Sequence, residues 1–250
     1  MKKPLLFALM LFSPLAHAQS ITVFAAASLT DAFKEIGSAF QNKTGVEVTF
    51  QFAGSQVLRT QLEQGAKADV YASASDAQFD PLVKSGLVNG KQTFTRNQLV
   101  VIVPLKNPAG IRSLSDLAKP GVKVVVAQSS VPVGQYTRQV FENLSRTSKT
   151  SFSQKALKNV VSEETNVRQV ALKVQFGEAD AGVVYTTDLT PGVRAQVKTI
   201  PIAGKYNVVA TYPMGTVKGG NPNAAGQFVK FVLSKEGQNI LKKWGFLKVK

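Results

Sequence analysis

The chain has 250 residues, a formal net charge of +15, no cysteine and one histidine, His17. Its length allows one large or two moderate domains with real cores. With no thiol anywhere and its only imidazole at the N-terminal end, the body of the chain excludes Ser-His-Asp and Cys-His catalysis, zinc sites with Cys or His ligands, disulfides and thiol redox chemistry.

The balance of 30 Lys and Arg against 15 Asp and Glu raises the question of an anionic partner. The basic residues are spread along the chain, with no long basic run, no basic-aromatic repeat and no cationic amphipathic helix. Nucleic acid is therefore not expected. A solvated basic surface that steers a small anion fits the pattern better.

Residues 1–18 read as a secretory signal peptide. Lys2 and Lys3 form a positive segment, Leu5 to Leu15 is apolar but too short to span a bilayer, and Ala16-His17-Ala18 is a small-x-small cleavage site. No cysteine follows, so a lipid anchor on a mature N-terminal Cys is excluded. A soluble product exported to a bacterial periplasm is expected.

The mature chain opens with one pattern written twice. Ile21 to Phe24 predicts a strand, Ala25 to Ala27 are tiny, and Ser28 opens Leu29 to Phe40, apolar at helical spacing. Val46 to Phe52 alternates as a strand, Ala53 and Gly54 are again tiny, and Ser55 opens a helix through Val57, Leu58 and Leu62. Serine is a common N-cap, and Ser28 with Asp31 three residues on approximates a capping box, so each serine taken alone reads as a cap. Ala68 to Ser73 predicts a buried strand, and Ser75 or Asp76 caps a helix that stops at Gly86. Three such units in succession predict a parallel, doubly wound sheet.

Gln98 to Val103 predicts a strand ended by Pro104, followed by a short helix at Ser115 to Ala118. Val122 to Ala127 starts a second series. Pro132 suits the first turn of the helix that carries Tyr136 to Leu144, which puts Val133 at a third helix start. Lys149 to Asn159 predicts a short polar helix, and Glu164-Thr165-Asn166 caps the helix from Val167 to Phe176. Ala181 to Tyr185 predicts a buried strand. Val193 to Ile200 and Val208 to Tyr212 complete the strands, and Asn221 caps the first of two closing helices, Ala224 to Leu233 and Lys235 to Trp244.

The first turn of a helix carries N–H groups without intrahelical partners and about half a positive charge, so it receives anions. Ser28, Ser55, Val133 and Val167 stand at four such starts, and Tyr185 ends a strand. In α/β sheets these ends lie at the carboxyl edge, where ligands bind. Two lobes facing each other across that edge would surround a compact anion with neutral donors.

Phe24-Ala-Ala-Ala-Ser-Leu-Thr30, Phe52-Ala-Gly-Ser55, Ala68-Asp69 with Ser73-Ala74, Val131-Pro-Val-Gly134, Asn166-Val-Arg168 and Val183-Val-Tyr-Thr-Thr-Asp188 resemble, in this order, the periplasmic molybdate-binding proteins of ABC importers. The resemblance covers essentially the whole mature chain, ending in Trp244 to Phe246. It implies a two-lobed class II periplasmic-binding-protein fold, each lobe a mainly parallel sheet flanked by helices, with a tetrahedral oxyanion in the cleft. The expected division is 19–100 with 209–250 in one lobe and 101–208 in the other. The resemblance implies hydroxyl and backbone donors from Ser28 and Ser55, the hydroxyl of Tyr185, and backbone N–H alone from Val133 and Val167. The family often carries alanine where this chain has Val133, an exchange that a backbone donor survives.

The function so implied is binding of molybdate, and of tungstate, for delivery to the membrane permease of an ABC importer by a monomer without cofactor. Molybdenum would be held only as its oxyanion, with no protein ligand to the metal. Sulfate, phosphate and ferric iron stay open as other ligands of the same fold; the five tyrosines form no adjacent pair of the kind ferric binders use. An enzyme is not expected, since no Ser-x-x-Lys and no Gly-x₄-Gly-Lys occurs. Asp69, Asp180 and Asp188 lack the tight spacing of a Ca²⁺ or Mg²⁺ site, and Asp69 is expected to bond local backbone. Arg168, in the first turn of its helix, is expected to face solvent.

Overall fold

In the computed structural model, which describes residues 19–249, β1 (Ser20–Ala26) lies between β2 (Glu47–Ala53) and β3 (Val70–Ala72), parallel to both. The signal-peptide reading of residues 1–18 lies outside the described residues. The three strands alternate with α1 (Thr30–Thr44), α2 (Ser55–Glu63) and α3 (Asp76–Lys84). Both faces of β1 are covered. Val23 and Ala25 pack with Phe33, Ile36 and Phe40 of α1, whereas Phe24 joins a smaller cluster with Leu58, Leu62, Phe79 and Leu82 of α2 and α3.

The long strand β4 (Val88–Pro104) leaves this sheet for a second one. Val88 to Gln98 pair with the strand returning at the end of the chain; Leu99 to Pro104 pair with two others. The second sheet also holds β5 (Val124–Ala127), β6 (Val160–Glu164), β7 (Ala181–Tyr185) and β8 (Val197–Pro201), with α4 (Pro132–Ser148), α5 (Phe152–Lys158), α6 (Val167–Gln175) and α7 (Pro191–Arg194) around them. β9 (Val209–Val217) returns to the first sheet, and α8 (Pro222–Leu233) and α9 (Lys235–Lys243) close on it. The strand order is β2-β1-β3-β9-β4-β7-β5-β6, with β8 on β4. Phe228 of α8 meets Phe33 and Phe40 of α1 edge-on, at 6.0 and 5.4 Å between ring centroids, which fastens the C-terminal helices to the N-terminal series.

Four expectations are corrected. The sheet is mixed, because β9 runs antiparallel to both β3 and β4. β4 starts ten residues before Gln98, in a polar stretch whose hydrogen bonds go to β9 across two register shifts. β6 is a strand where the sequence pattern predicts none, and Val193 belongs to a short helix. Among the described residues, no helix is long and apolar enough to cross a membrane.

Candidate functional site

β1 and β2 run in register to their ends, Ala26 opposite Ala53, so the turns that follow them emerge side by side. β5 is likewise parallel to β6 and β7, which brings the starts of α4 and α6 to one edge with the end of β7. The two edges face each other. Ser28, Ser55, Val133, Val167 and Tyr185 line one small pocket between them. All five are buried, and among the described residues no charged side chain lines the cavity.

Close approach requires glycine at two places. Gly134 follows Val133 in the first turn of α4, where a Cβ would run into the carbonyl groups of Ala127 and Gln128. A Cβ on Gly54 would collide with the carbonyl oxygen of Thr165, which precedes α6. The two edges are also tied directly. Gln56 Nε2 donates to Thr165 O at 2.9 Å, Gln78 Nε2 to Ser130 O at 2.9 Å, and Arg168 Nη2 meets Asp31 Oδ2 at 2.6 Å.

Neither serine is a cap. Ser28 lies in a 3-10 turn (Ala27–Leu29) ahead of α1, and Ser55 is the first residue of α2, whose N-cap is Gly54. Asp31 pairs with Arg168 and completes no capping box. Away from the cavity, α3, α8 and α9 are capped by Ser75, Asn221 and Ser234, whereas α5 and α7 have no side-chain cap. At the cavity, α2 and α4 have no side-chain cap, and Asn166 bonds the N–H groups of Arg168 and Gln169 but not that of Val167. The first-turn N–H groups at Ser55, Val133 and Val167 therefore stay available to a ligand.

The hydroxyls tell the same story. Ser55 Oγ accepts from Ala74 N at 3.0 Å, which occupies it as an acceptor and turns its hydrogen away from Ala74. Ser28 Oγ lies 2.8 Å from Tyr212 Oη. Tyr185 Oη is buried, lines the cavity and has no hydrogen-bond partner among the described residues. Such a group costs about 1–3 kcal/mol, which a ligand acceptor would recover. Burial raises the Tyr185 pKa well above that of an ordinary phenol, with neighbouring Tyr212 adding to it, so this hydroxyl stays a neutral donor.

Arg168 does not face solvent, contrary to the sequence reading. Its guanidinium sits between Asp31 and Asp188, with Nε 3.1 Å from Asp188 Oδ1. Asp188 is buried behind the cavity, accepts the Tyr185 N–H at 3.0 Å and has its pKa raised to about 6 by desolvation, which Arg168 opposes. Asp69 bonds backbone, as expected, but at distant Thr22 and Asn221. Asp180 accepts from Lys123 N. No cluster of acidic residues suited to a metal ion occurs among the described residues. Sequence reasoning missed Gly54, Ala74 and the Asn97–Tyr212 pair behind Ser28; only the tiny residues flanking the serines hinted at the first two.

Two sheets joined by β4 turn converging donors toward one cavity at their facing edges, an arrangement suited to holding a small solute. The chain belongs to the bacterial extracellular solute-binding protein family, whose model matches residues 21–247. Its relatives are solute-binding proteins, not enzymes, and carry no cofactor. It is 43% identical over 238 residues to the molybdate-binding protein ModA of Mycobacterium tuberculosis, covering 94% of this chain and 87% of that one. The molybdate-binding protein ModA of Haemophilus influenzae is 32% identical over 242 residues, covering 92% and 91%. The solved structure of the sulfate-binding protein SubI from M. tuberculosis superposes with a TM-score of 0.84 at 20% identity, covering 93% and 88%, a likeness of fold.

Proposed function

We propose that this protein binds molybdate, and tungstate as well, in the cavity between its two sheets, and delivers it to the permease of an ABC importer. The observation that carries the reading is the convergence of donors without protein acceptors: the hydroxyls of Ser28, Ser55 and Tyr185 and the first-turn N–H groups of Ser55, Val133 and Val167. A tetrahedral dianion loses its hydration on entry and needs many short charge-assisted hydrogen bonds in exchange. Donors alone, with no carboxylate in the wall, favour a ligand that carries no proton. The molybdate-binding relatives support the choice of ion, and cavity size would separate it from the smaller sulfate.

The change of partners along β4 at Gln98 and Leu99, and the return through β9, support two lobes made of 19–100 with 209–250 and of 101–208. In this reading residues 1–18 direct export to the periplasm and the monomer closes around the ion.

A thermal-shift panel with molybdate, tungstate, sulfate, phosphate and ferric citrate tests the proposal. Ligand at about a thousand times its Kd adds roughly 4 kcal/mol, which in a chain of this size raises the melting temperature by about 10 °C. Molybdate and tungstate should produce that shift and the others should not. An equal shift with sulfate refutes selection by size.

A further inference from the structure

Behind Ser28, away from the cavity, lies a short chain of buried polar groups that the oxyanion reading does not use. Tyr212 Oη is 2.8 Å from Ser28 Oγ and accepts from Asn97 Nδ2 at 3.3 Å. Both residues are fully buried. Asn97 stands on β4 and Tyr212 on β9, the two strands that cross between the sheets.

The direction of each hydrogen bond follows from the groups at the far end. Asn97 Oδ1 accepts the backbone N–H of Gln98 at 2.9 Å, and a backbone N–H can only donate. That fixes the carboxamide: its NH₂ must face Tyr212 Oη and Thr187 Oγ1, which it meets at 2.8 Å. Tyr212 Oη thus accepts from Asn97, and among the described residues Ser28 Oγ is the acceptor at hydrogen-bond distance for its own hydrogen. If Ser28 donated to Tyr212 instead, the phenolic hydrogen would be buried without an acceptor among the described residues, which is costly. Tyr212 therefore donates to Ser28. The hydrogen of Ser28 then has no acceptor among the described residues and turns to the cavity.

We infer that Asn97 and Tyr212 are positioning residues that lock the Ser28 hydroxyl as a donor toward the bound anion. The inference deepens the oxyanion reading and rests on it. It gives the discrimination against protonated anions a specific origin: with Tyr212 occupying one of its lone pairs, Ser28 turns its hydrogen, and not an oxygen lone pair, toward the ligand. Ser55 Oγ is oriented in a similar way by a backbone donor, the Ala74 N–H.

The test is a double-mutant cycle in the full mature chain, read by calorimetric titration with sodium molybdate. Ser28→Ala should raise Kd at least tenfold. Tyr212→Phe keeps the ring that meets Phe94, Tyr185 and Phe246 edge-on, so it should fold, and it should also raise Kd about tenfold. In the Ser28→Ala background Tyr212→Phe should change Kd by less than threefold. Asn97→Ala probes the chain from its other end, with a loss of threefold or more that disappears in the Ser28→Ala background.

Competition by inorganic phosphate, protonated at neutral pH, supplies a readout that mere destabilisation would not move. Tyr212→Phe frees the Ser28 hydroxyl to rotate and present a lone pair to the cavity, so the preference for molybdate over phosphate should narrow at least tenfold. Full losses that persist without the Ser28 hydroxyl, or equal weakening toward both anions, overturn the positioning role alone. An unchanged Kd for Ser28→Ala overturns the oxyanion site itself.

Discussion

Replacing Tyr185 by phenylalanine should move stability and binding in opposite directions. The Tyr185 hydroxyl is buried at the end of β7 with no partner among the described residues. Its removal deletes an unsatisfied donor while leaving the ring, so the ligand-free protein should gain about 1 kcal/mol. For a chain of this size that raises the melting temperature by roughly 2–4 °C. With molybdate bound, the same change deletes a hydrogen bond to an anion, about 1.5–3 kcal/mol, and Kd should rise roughly 10- to 150-fold. Melting without ligand and titration with molybdate read the two halves separately. A Tyr185→Phe protein that melts lower and binds unchanged would mean that the hydroxyl serves the fold, and the reasoning from its missing partner would fail. Activity gained at the expense of stability is the general pattern of binding sites, and here a single oxygen atom carries it.

Gly54→Ala should disfavour the close approach of the two edges, because the added methyl meets Thr165 O across the cavity mouth even though φ −60° and ψ 139° suit alanine. Molybdate affinity should fall more than tenfold, and small-angle scattering should no longer register a decrease in radius of gyration on adding the ion; normal affinity would refute a requirement for this approach. Asp188 provides a test against pH. Its carboxyl, at about 6 in the folded protein, binds a proton in the interval where the unfolded chain, at about 3.9, does not, so its contribution to stability declines as pH rises from about 4 to about 6. Urea melts of wild type and Asp188→Asn should therefore diverge across that interval, the variant gaining relative to wild type by roughly 2–3 kcal/mol toward pH 7, and a constant difference would contradict the shift.

Much of this was legible because the informative signals are local. Tiny residues followed by serine, twice, and Pro132 and Asn166 at helix starts are all written within a few residues of each other, and they mark the turns that line the cavity. What was not legible is long-range. The cap reading of Ser55 failed because its acceptor is taken by Ala74, nineteen positions away, and that of Ser28 because its neighbour is Tyr212, 184 positions away. Arg168 reads as a solvent-facing arginine until α1 brings Asp31 to it. The first half of β4 alternates poorly, with exposed residues from Asn89 to Gln92, since its stability comes from pairing with β9 and not from an apolar face. β6 is an edge strand of the second sheet, and only its neighbour β5 makes it one.

The central claim is the location and nature of the bound ion, and molybdenum offers a direct probe of both. Crystals of the mature protein grown with molybdate, measured on either side of the molybdenum absorption edge, should give one dominant anomalous peak inside the cavity. Its oxygens should lie at hydrogen-bond distance, about 2.7–3.1 Å, from the hydroxyls of Ser28, Ser55 and Tyr185 and from the N–H groups of Val133 and Val167. A dominant peak elsewhere, for instance in the surface groove lined by Lys67 and Lys218 at the opposite end of β1, or no ordered peak at saturating molybdate, would contradict the account.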